Sequence, residues 1–183
     1  CTVDLSAFYF DIRKDALYCD SKSAERRKNC IIVLNIILES LIKWFAPILS
    51  FTTEEIFTLI NKDNKSIHLE EFMEFPKSFQ NEQLNKKWKE LKKIRDICNV
   101  SIEAKRASKE IGSSLEANLI ISLNKNLIEL IKNIDMAELC ITSAAEIIET
   151  TSNETTVQTK KAEGKKCPVC WKINKDGCER HPN

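Results

Sequence analysis

KCPVCWKINKDGCERH, residues 166–181, is the stretch that decides how the end of the chain folds. Cys167 and Cys170 are separated by two residues, and Cys178 and His181 have the same spacing. Two such pairs can bring three thiolates and an imidazole to one tetrahedral site, which is a common ligand set for zinc. Because so short a segment has no hydrophobic core of its own, metal binding would supply its folding free energy.

Redox chemistry or disulfide bonding would account for fewer of these residues than a metal site does. A redox-active C-x-x-C normally opens a helix after a strand in a thioredoxin-like fold, which leaves Cys178 and His181 without a role. Two local disulfides are excluded because the segment holds only three cysteines. An accidental cluster without metal is the remaining alternative. Gly177 frees the backbone to turn the second pair inward. We predict one structural Zn²⁺ with the ligands Cys167, Cys170, Cys178 and His181.

Trp171 directly follows the first cysteine pair and has two interpretations. In one, its ring stacks on an unpaired RNA base while nearby cations bind phosphates. Those cations are Lys165, Lys166, Lys172 and Arg180. In the other, the ring packs against the metal loop as its small core. The spacing does not decide between the two interpretations.

The overall composition is that of a mainly helical globular protein. Three glycines and four prolines among 183 residues argue against a β-sandwich or a disordered chain. The other five cysteines are scattered, mostly among apolar neighbours, which is typical of buried thiols in a reducing compartment. The richest apolar run, residues 30–38, is too short to cross a bilayer, and no signal peptide is recognisable. We therefore expect a cytoplasmic protein with no membrane segment.

Hydrophobic periodicity predicts four helices in the first 110 residues. The first lies within residues 4–18. The second is long and deeply buried, with Ser21 or Ser23 as its cap, and it ends near Pro47. A Thr52–Glu55 capping box predicts the start of a short third helix.

The fourth helix is expected from residue 81 to residue 109, with a left-handed stop at Gly112. Its predicted buried stripe consists of Leu84, Trp88, Leu91, Ile94, Cys98 and Ile102. Trp44 and Trp88 are both expected in the core. Two β-like runs follow, residues 118–123 and 137–142, and a helical segment between them predicts a small βαβ-type unit. A hairpin or linker is expected after residue 149.

Four stretches are similar to successive motifs of the bacterial isoleucyl-tRNA synthetase family. They are DLSAFYFDIRKDALY (residues 4–18), APILSFTTEEIF (46–57), KEIGSSLEA (109–117) and AEGKKCPVCW (162–171). They occur in the family's order and span nearly the whole chain, so the resemblance is more specific than any single motif.

This resemblance implies a mainly α fold with four parts. Residues 1–75 would form a helical anticodon-binding domain that lacks its N-terminal portion. Residues 80–150 would be a long helix with a small βαβ-type junction region, and 151–163 a hairpin or linker. Residues 164–183 would be a zinc module near the anticodon. The opening Cys1, in place of a methionine, leads us to expect a fragment of a longer polypeptide.

The resemblance also implies which activities this chain lacks. It contains no HIGH-like or KMSKS-like stretch, so ATP would bind only in a catalytic domain elsewhere in the parent ligase. The editing reaction, by which this synthetase class removes wrongly attached amino acids, would also occur elsewhere. We expect no catalytic residue here, an inactive isolated fragment, a monomer, and isoleucine tRNA as the partner.

The zinc module differs from the family's pattern in one respect. The family has two C-x2-C pairs with a longer spacer, whereas this chain has a seven-residue spacer and His181 in place of the last cysteine. Because histidine is also a zinc ligand, the metal is still expected.

Arg26 and Arg27 open the second predicted helix, where positive charge opposes the helix dipole. They are expected either to bind the tRNA backbone or to form a solvated face with acidic partners. Three other functions remain open: a zinc-stabilised protein adaptor, the equivalent region of a valyl- or leucyl-tRNA synthetase, and the zinc finger of a DNA-repair protein.

Overall fold

Helices dominate the structure, a computed structural model that describes residues 1–62 and 65–181. The helices are α1 (Asp11–Cys19), α2 (Glu25–Phe45), α3 (Ser50–Ile60), α4 (Glu82–Ala107), α5 (Lys125–Ile131) and α6 (Met136–Leu139). The strands are β1 (Ala117–Leu123), β2 (Ala144–Glu149), β3 (Thr156–Lys161), β4 (Lys165–Lys166) and β5 (Ile173–Asn174). A π-helical segment, Thr2–Phe10, leads into α1. The predicted mainly α fold with a small α/β unit is confirmed.

The chain divides into two compact units. One consists of Cys1–Cys19 together with Asn81–Asn183, and the other of Asp20–Gln80. The four predicted parts, 1–75, 80–150, 151–163 and 164–183, stay a prediction. The first and last of them include residues 63–64 and 182–183, which lie outside the described residues.

The Asp20–Gln80 unit contains α2 and α3 around a small apolar cluster. That cluster consists of Ile42, Ala46, Phe57 and Ile67. Only three residues of the 21-residue helix α2 are buried, so the expectation of a deeply buried helix is wrong. Trp44 is 51% exposed and contacts the edge of Phe75, contrary to its predicted place in the core. Apolar periodicity predicted the helix correctly but not which of its faces would be covered.

The predicted caps of α2 and α3 are also wrong. Ala24 precedes α2 and Leu49 precedes α3, and neither provides a side-chain cap. Helix α3 begins at Ser50, ahead of the predicted capping box. Thr53 lies inside the first turn, and its hydroxyl donates a hydrogen bond to the carbonyl of Leu49.

In the larger unit, α4 packs on the sheet through Leu91, Ile94, Cys98 and Ile102, as its periodicity predicts. The two residues predicted at the start of this stripe are not fully buried: Leu84 is 49% exposed, and Trp88 is half-buried against Phe8. The side chain of Asn81 caps the helix by accepting a hydrogen bond from the Leu84 amide.

The stop of α4 is not at Gly112, as the sequence predicted. Lys109, with φ of 58°, takes the left-handed conformation just after the helix. The Gly112 amide instead donates a hydrogen bond to the Glu116 carboxylate over 2.9 Å.

The three-stranded sheet has the order β2-β1-β3, with β1 parallel to β2 and antiparallel to β3. Alternate residues of β1, from Ala117 to Leu123, are buried beneath α4. The second strand lies at 144–149 and not at 137–142, because the Asp135 side chain caps the short helix α6 there. Ile141, with φ of 56°, then turns the chain before β2. Strand β3 occupies the segment that was expected to be a hairpin or linker.

Within the described ranges, no helix combines the length and the apolar character that crossing a membrane requires.

Replacing Ile121 by alanine is expected to destabilise the larger unit strongly. The Ile121 side chain is fully buried in the central strand, and such a truncation costs about 2–5 kcal/mol of unfolding free energy. Ile148→Ala, at a position that is 44% exposed on β2, should cost less than about 1 kcal/mol. Urea unfolding of both variants measures the difference, and equal losses would contradict the assignment of β1 as the core strand.

Candidate metal centre and nucleic-acid interface

A two-stranded ladder brings the two halves of the C-terminal segment together. Strands β4 and β5 are antiparallel, with Lys165 opposite Asn174 and Lys166 opposite Ile173. Gly164 precedes this ladder with φ of 129°, and a Cβ atom there would overlap the backbone carbonyl of Asn174. Glycine is therefore required at position 164 for the two strands to meet.

Ser143 attaches this ladder to the rest of the larger unit. Its hydroxyl donates a hydrogen bond to the carbonyl of Leu115 and accepts one from the amide of Ile173 over 2.7 Å. Ser143 is itself 8% exposed. Because both bonds are partly buried, they help to fix the position of the ladder beside β1 and β2.

The four predicted metal ligands come together at the end of this ladder. One donor atom from each of Cys167, Cys170, Cys178 and His181 lies within 4.8 Å of the others. The Cys170 and Cys178 sulfurs are 3.7 Å apart. The Nδ1 atom of His181 is 3.5 Å from the Cys167 sulfur and 3.3 Å from the Cys178 sulfur. The cluster can therefore hold a metal ion.

Three of these separations, one between two sulfurs and two between a sulfur and Nδ1, are close to those expected around a tetrahedral ion. With zinc–sulfur bonds of about 2.3 Å and zinc–nitrogen bonds of about 2.0 Å, tetrahedral angles place two sulfurs about 3.8 Å apart and a sulfur about 3.5 Å from a nitrogen. The residues present thus fit a closed four-coordinate site. Gly177, with φ of 88°, lies in the turn that brings Cys178 and His181 toward the first pair.

The second ring nitrogen of His181 faces away from the cluster. Its Nε2 atom lies 2.7 Å from the backbone carbonyl oxygen of Cys19, the last residue of α1. A proton on Nε2 that is donated to this carbonyl leaves the lone pair of Nδ1 free to bind a metal and fixes the orientation of the ring. Such an outer hydrogen bond typically accompanies a histidine ligand.

Arg180 also connects the metal loop to α1. Its guanidinium forms two hydrogen bonds of 2.8 Å to the carboxylate of Asp15. This is the bidentate geometry in which arginine binds carboxylates most strongly.

Burial and hydrogen bonds shift the pKa values of the cluster residues in different directions. Burial raises the pKa of Cys167, but amide hydrogen bonds from Cys170 and Val169 outweigh it and lower that pKa to about 6. Burial raises the pKa of Cys170 to about 11. The hydrogen bond to Cys19 raises the pKa of His181.

Trp171 is displayed on the outside of the metal loop. Its side chain is 58% exposed, so it does not form a buried core for the loop. Its backbone has φ of 63°, an uncommon conformation for a bulky residue. The Lys166 ammonium lies 5.6 Å from the centre of its ring, and Lys165 and Lys166 are both exposed. Lys172 follows directly and is half-buried.

The arginines proposed for tRNA contact all have partners within their own unit. Arg180 binds Asp15 through its guanidinium. Arg26 binds the Asp20 carboxylate through two hydrogen bonds of 2.7 and 2.9 Å. Arg27 donates to the Asp20 carbonyl oxygen over 3.1 Å. Any contact of these residues with RNA stays a prediction.

Three residues that organise the site were not predicted from the sequence. They are Asp15, Cys19 and Ser143, which hold Arg180, His181 and Ile173 respectively. Asp15 and Cys19 lie more than 160 positions before their partners, and no local pattern in the sequence marks such a contact.

Comparison with known proteins identifies related sequences. The family described as "Anticodon-binding domain of tRNA ligase" matches residues 1–121. The isoleucine–tRNA ligase of Pelagibacter ubique (strain HTCC1062) is 75% identical over 181 residues, which are 99% of this chain and 20% of that protein. The isoleucine–tRNA ligase of Bartonella henselae is 41% identical over 184 residues, covering 94% of this chain and 19% of that protein.

A third relative is covered by this chain to the same extent. The isoleucine–tRNA ligase of Agrobacterium fabrum (strain C58) is 38% identical over 185 residues, covering 95% of this chain and 19% of that protein. The chain therefore spans about a fifth of the length of these curated relatives.

Gly164→Ala is expected to weaken metal binding about tenfold or more, since a strained backbone position costs about 1–3 kcal/mol and here a steric overlap is added. Gly177→Ala is the matched control, because it also has a positive φ but meets no atom within 4 Å. Competition titration against a chromophoric chelator measures both affinities. Equal affinities in the two variants would contradict the role of the β4–β5 ladder in closing the site.

Proposed function

Because the chain belongs to the anticodon-binding domain family of tRNA ligases, we propose that it is the tRNA-recognising C-terminal part of an isoleucine–tRNA ligase. The single observation that carries this proposal is its similarity to isoleucine–tRNA ligases along almost its whole length, at 75% identity to one of them. In this proposal the chain binds the anticodon side of isoleucine tRNA, in the cytoplasm.

The ATP-dependent attachment of isoleucine would take place in parts of the ligase that this chain does not include. The similarity to relatives about five times longer supports this division. The apolar surface of the Asp20–Gln80 unit supports it as well, since Phe51 is 95% exposed and Leu69 81% exposed. Exposed apolar groups of this kind commonly mark a surface that is covered in the complete protein.

The comparisons do not favour the other functions that the sequence left open. A stand-alone adaptor or a DNA-repair zinc finger explains the metal cluster but not the family match over residues 1–121. A valyl- or leucyl-tRNA synthetase would share the helical architecture, but the three relatives compared with this chain are named isoleucine–tRNA ligases.

We propose further that the metal is zinc and that its role is structural. The four ligands would be Cys167, Cys170, Cys178 and His181, whose soft sulfur and imidazole donors at tetrahedral spacing suit zinc. When bound, the ion supplies no reaction chemistry, because the four protein donors occupy its coordination positions.

The role of the metal loop would be to present Trp171 and the lysines beside it to RNA. Trp171 offers an exposed ring for stacking, and Lys165, Lys166 and Lys172 offer positive charge for phosphates. Arg180 would support RNA binding indirectly, because its bond to Asp15 holds the metal loop on α1. Arg26 and Arg27, which are half-buried in the other unit, would add phosphate contacts through the parts of their side chains that face solvent.

The purified chain is expected to contain about one equivalent of zinc, measured by elemental analysis after preparation without added metal. Cys178→Ser should lose that zinc, because three remaining donors cannot close the site. Cys1→Ser is the matched control, since Cys1 is an exposed cysteine outside the cluster. Retention of a full equivalent by Cys178→Ser would contradict the ligand assignment.

Trp171→Ala is expected to weaken the binding of isoleucine tRNA by roughly five- to a hundredfold, as expected for a lost base-stacking contact of about 1–3 kcal/mol. A tRNA with an unrelated anticodon should be affected less. Lys165→Ala should weaken both tRNAs alike and reduce the slope of log affinity against log salt by about one. Lys125→Ala, at an exposed position at the start of α5, serves as the control.

Zinc content must be measured on the same Trp171→Ala sample as tRNA binding. Full zinc together with unchanged discrimination between the two tRNAs would rule out stacking by Trp171. No binding of isoleucine tRNA by the unmodified chain, at any salt concentration, would rule out the proposed function itself.

A further inference from the structure

A cavity of about 330 Å³ lies within the larger unit, where α1, α6 and the metal loop meet. Its walls are mostly apolar and include Ile12, Tyr18, Leu115, Ile141, Val169 and Trp171. Two of these side chains are aromatic and strongly exposed, Tyr18 by 79% and Trp171 by 58%. The cavity borders the metal site and its attachment to α1 through Cys170, Asp15 and Cys19, but Tyr18 has no part in either.

Two wall residues have an unusual backbone. Ile141 has φ of 56° and Trp171 has φ of 63°, and both line the cavity. Branched and bulky side chains rarely occupy this left-handed region, because the backbone strain there costs on the order of 1–3 kcal/mol of conformational free energy per residue. Such conformations persist where the surrounding structure enforces them, and they concentrate at functional sites.

The charges around the cavity are compatible with an anionic ligand. Three acidic side chains on its wall are compensated by cations: Asp11 binds Lys14 over 2.9 Å, Asp15 binds Arg180, and Glu138 binds Arg13 over 2.8 Å. Lys172 also lines the cavity, and Lys166 lies over the Trp171 ring. An apolar interior with positive charge beside it suits a nucleotide, because the flat aromatic base can enter the interior while its phosphates stay near the cations.

We propose that this cavity receives one unstacked nucleobase of an RNA loop, with Tyr18 and Trp171 as its two aromatic walls. The inference rests on the proposed function and adds to it a defined base pocket and a second stacking residue, Tyr18. The volume is at the lower end of the range for ligand pockets, on the order of 300–1,000 Å³, which suits a single base and not a helix. Lys166 and Lys172 would bind the phosphates on either side of that base.

The test uses the full chain, loaded with metal, and an anticodon stem–loop of isoleucine tRNA. Each loop base in turn is replaced by 2-aminopurine, whose fluorescence is quenched when it stacks on an aromatic ring. Binding is expected to quench one loop position more strongly than the others. Tyr18→Ala should remove that extra quenching and weaken binding roughly five- to a hundredfold, whereas Tyr18→Phe, which keeps the ring, should preserve both.

Val100→Ala is the matched control, because Val100 is 72% exposed on α4 and does not line the cavity. It should bind and quench like the unmodified chain. Metal content and circular dichroism of Tyr18→Ala are measured on the same sample, and the high exposure of Tyr18 predicts that both are unchanged.

The outcomes separate this inference from the proposed function. If the stem–loop binds in a salt-dependent way but Tyr18→Ala changes neither affinity nor quenching, the base pocket is overturned and the proposed function stands. Binding without extra quenching at any loop position also overturns it and assigns the cavity to another occupant, such as an apolar side chain of the parent ligase. If the stem–loop and the complete isoleucine tRNA both fail to bind, the proposed function and this inference fail together.

Discussion

Four donor atoms held within 4.8 Å of one another are the constraint on which the C-terminal segment depends. Once deprotonated, sulfurs 3.7 Å apart would repel each other, and a divalent cation between them would replace that repulsion with attraction. Its own secondary structure is slight, since strands β4 and β5 have two residues each, and its other attachments are the hydrogen bonds of Ser143, Arg180 and His181. The proposed zinc ion therefore determines whether the loop that carries Trp171 has one conformation or many.

The cluster also connects distant parts of the larger unit. His181 binds the end of α1 through the Cys19 carbonyl, and Arg180 binds Asp15 one turn earlier. These two contacts place Val169 and Trp171 beside Tyr18, and the cavity forms between them. In the proposed function, a structural ion would thus influence RNA recognition without touching RNA, because it would fix the position of the Trp171 side chain on the metal loop relative to α1.

The sequence predicted the local features well and the distant contacts poorly. Ligand spacing within sixteen residues predicted which four side chains meet, and helical periodicity predicted the buried face of α4. The contacts of His181 with Cys19 and of Arg180 with Asp15 span 162 and 165 positions, where periodicity carries no information. The second strand was misplaced because an apolar run near residue 140 suits strand or helix equally, and the Asp135 cap decides for helix. Trp44 lies on an apolar stripe that its own unit leaves half exposed.

X-ray absorption at the zinc edge of the purified chain tests the central claim most directly, because it reports the first shell of donors around the metal. We expect three sulfurs at about 2.3 Å and one nitrogen at about 2.0 Å, and His181→Cys should convert this shell to four sulfurs. A shell of nitrogen and oxygen only, or one with two sulfurs and bound water, would contradict a closed site made by Cys167, Cys170, Cys178 and His181.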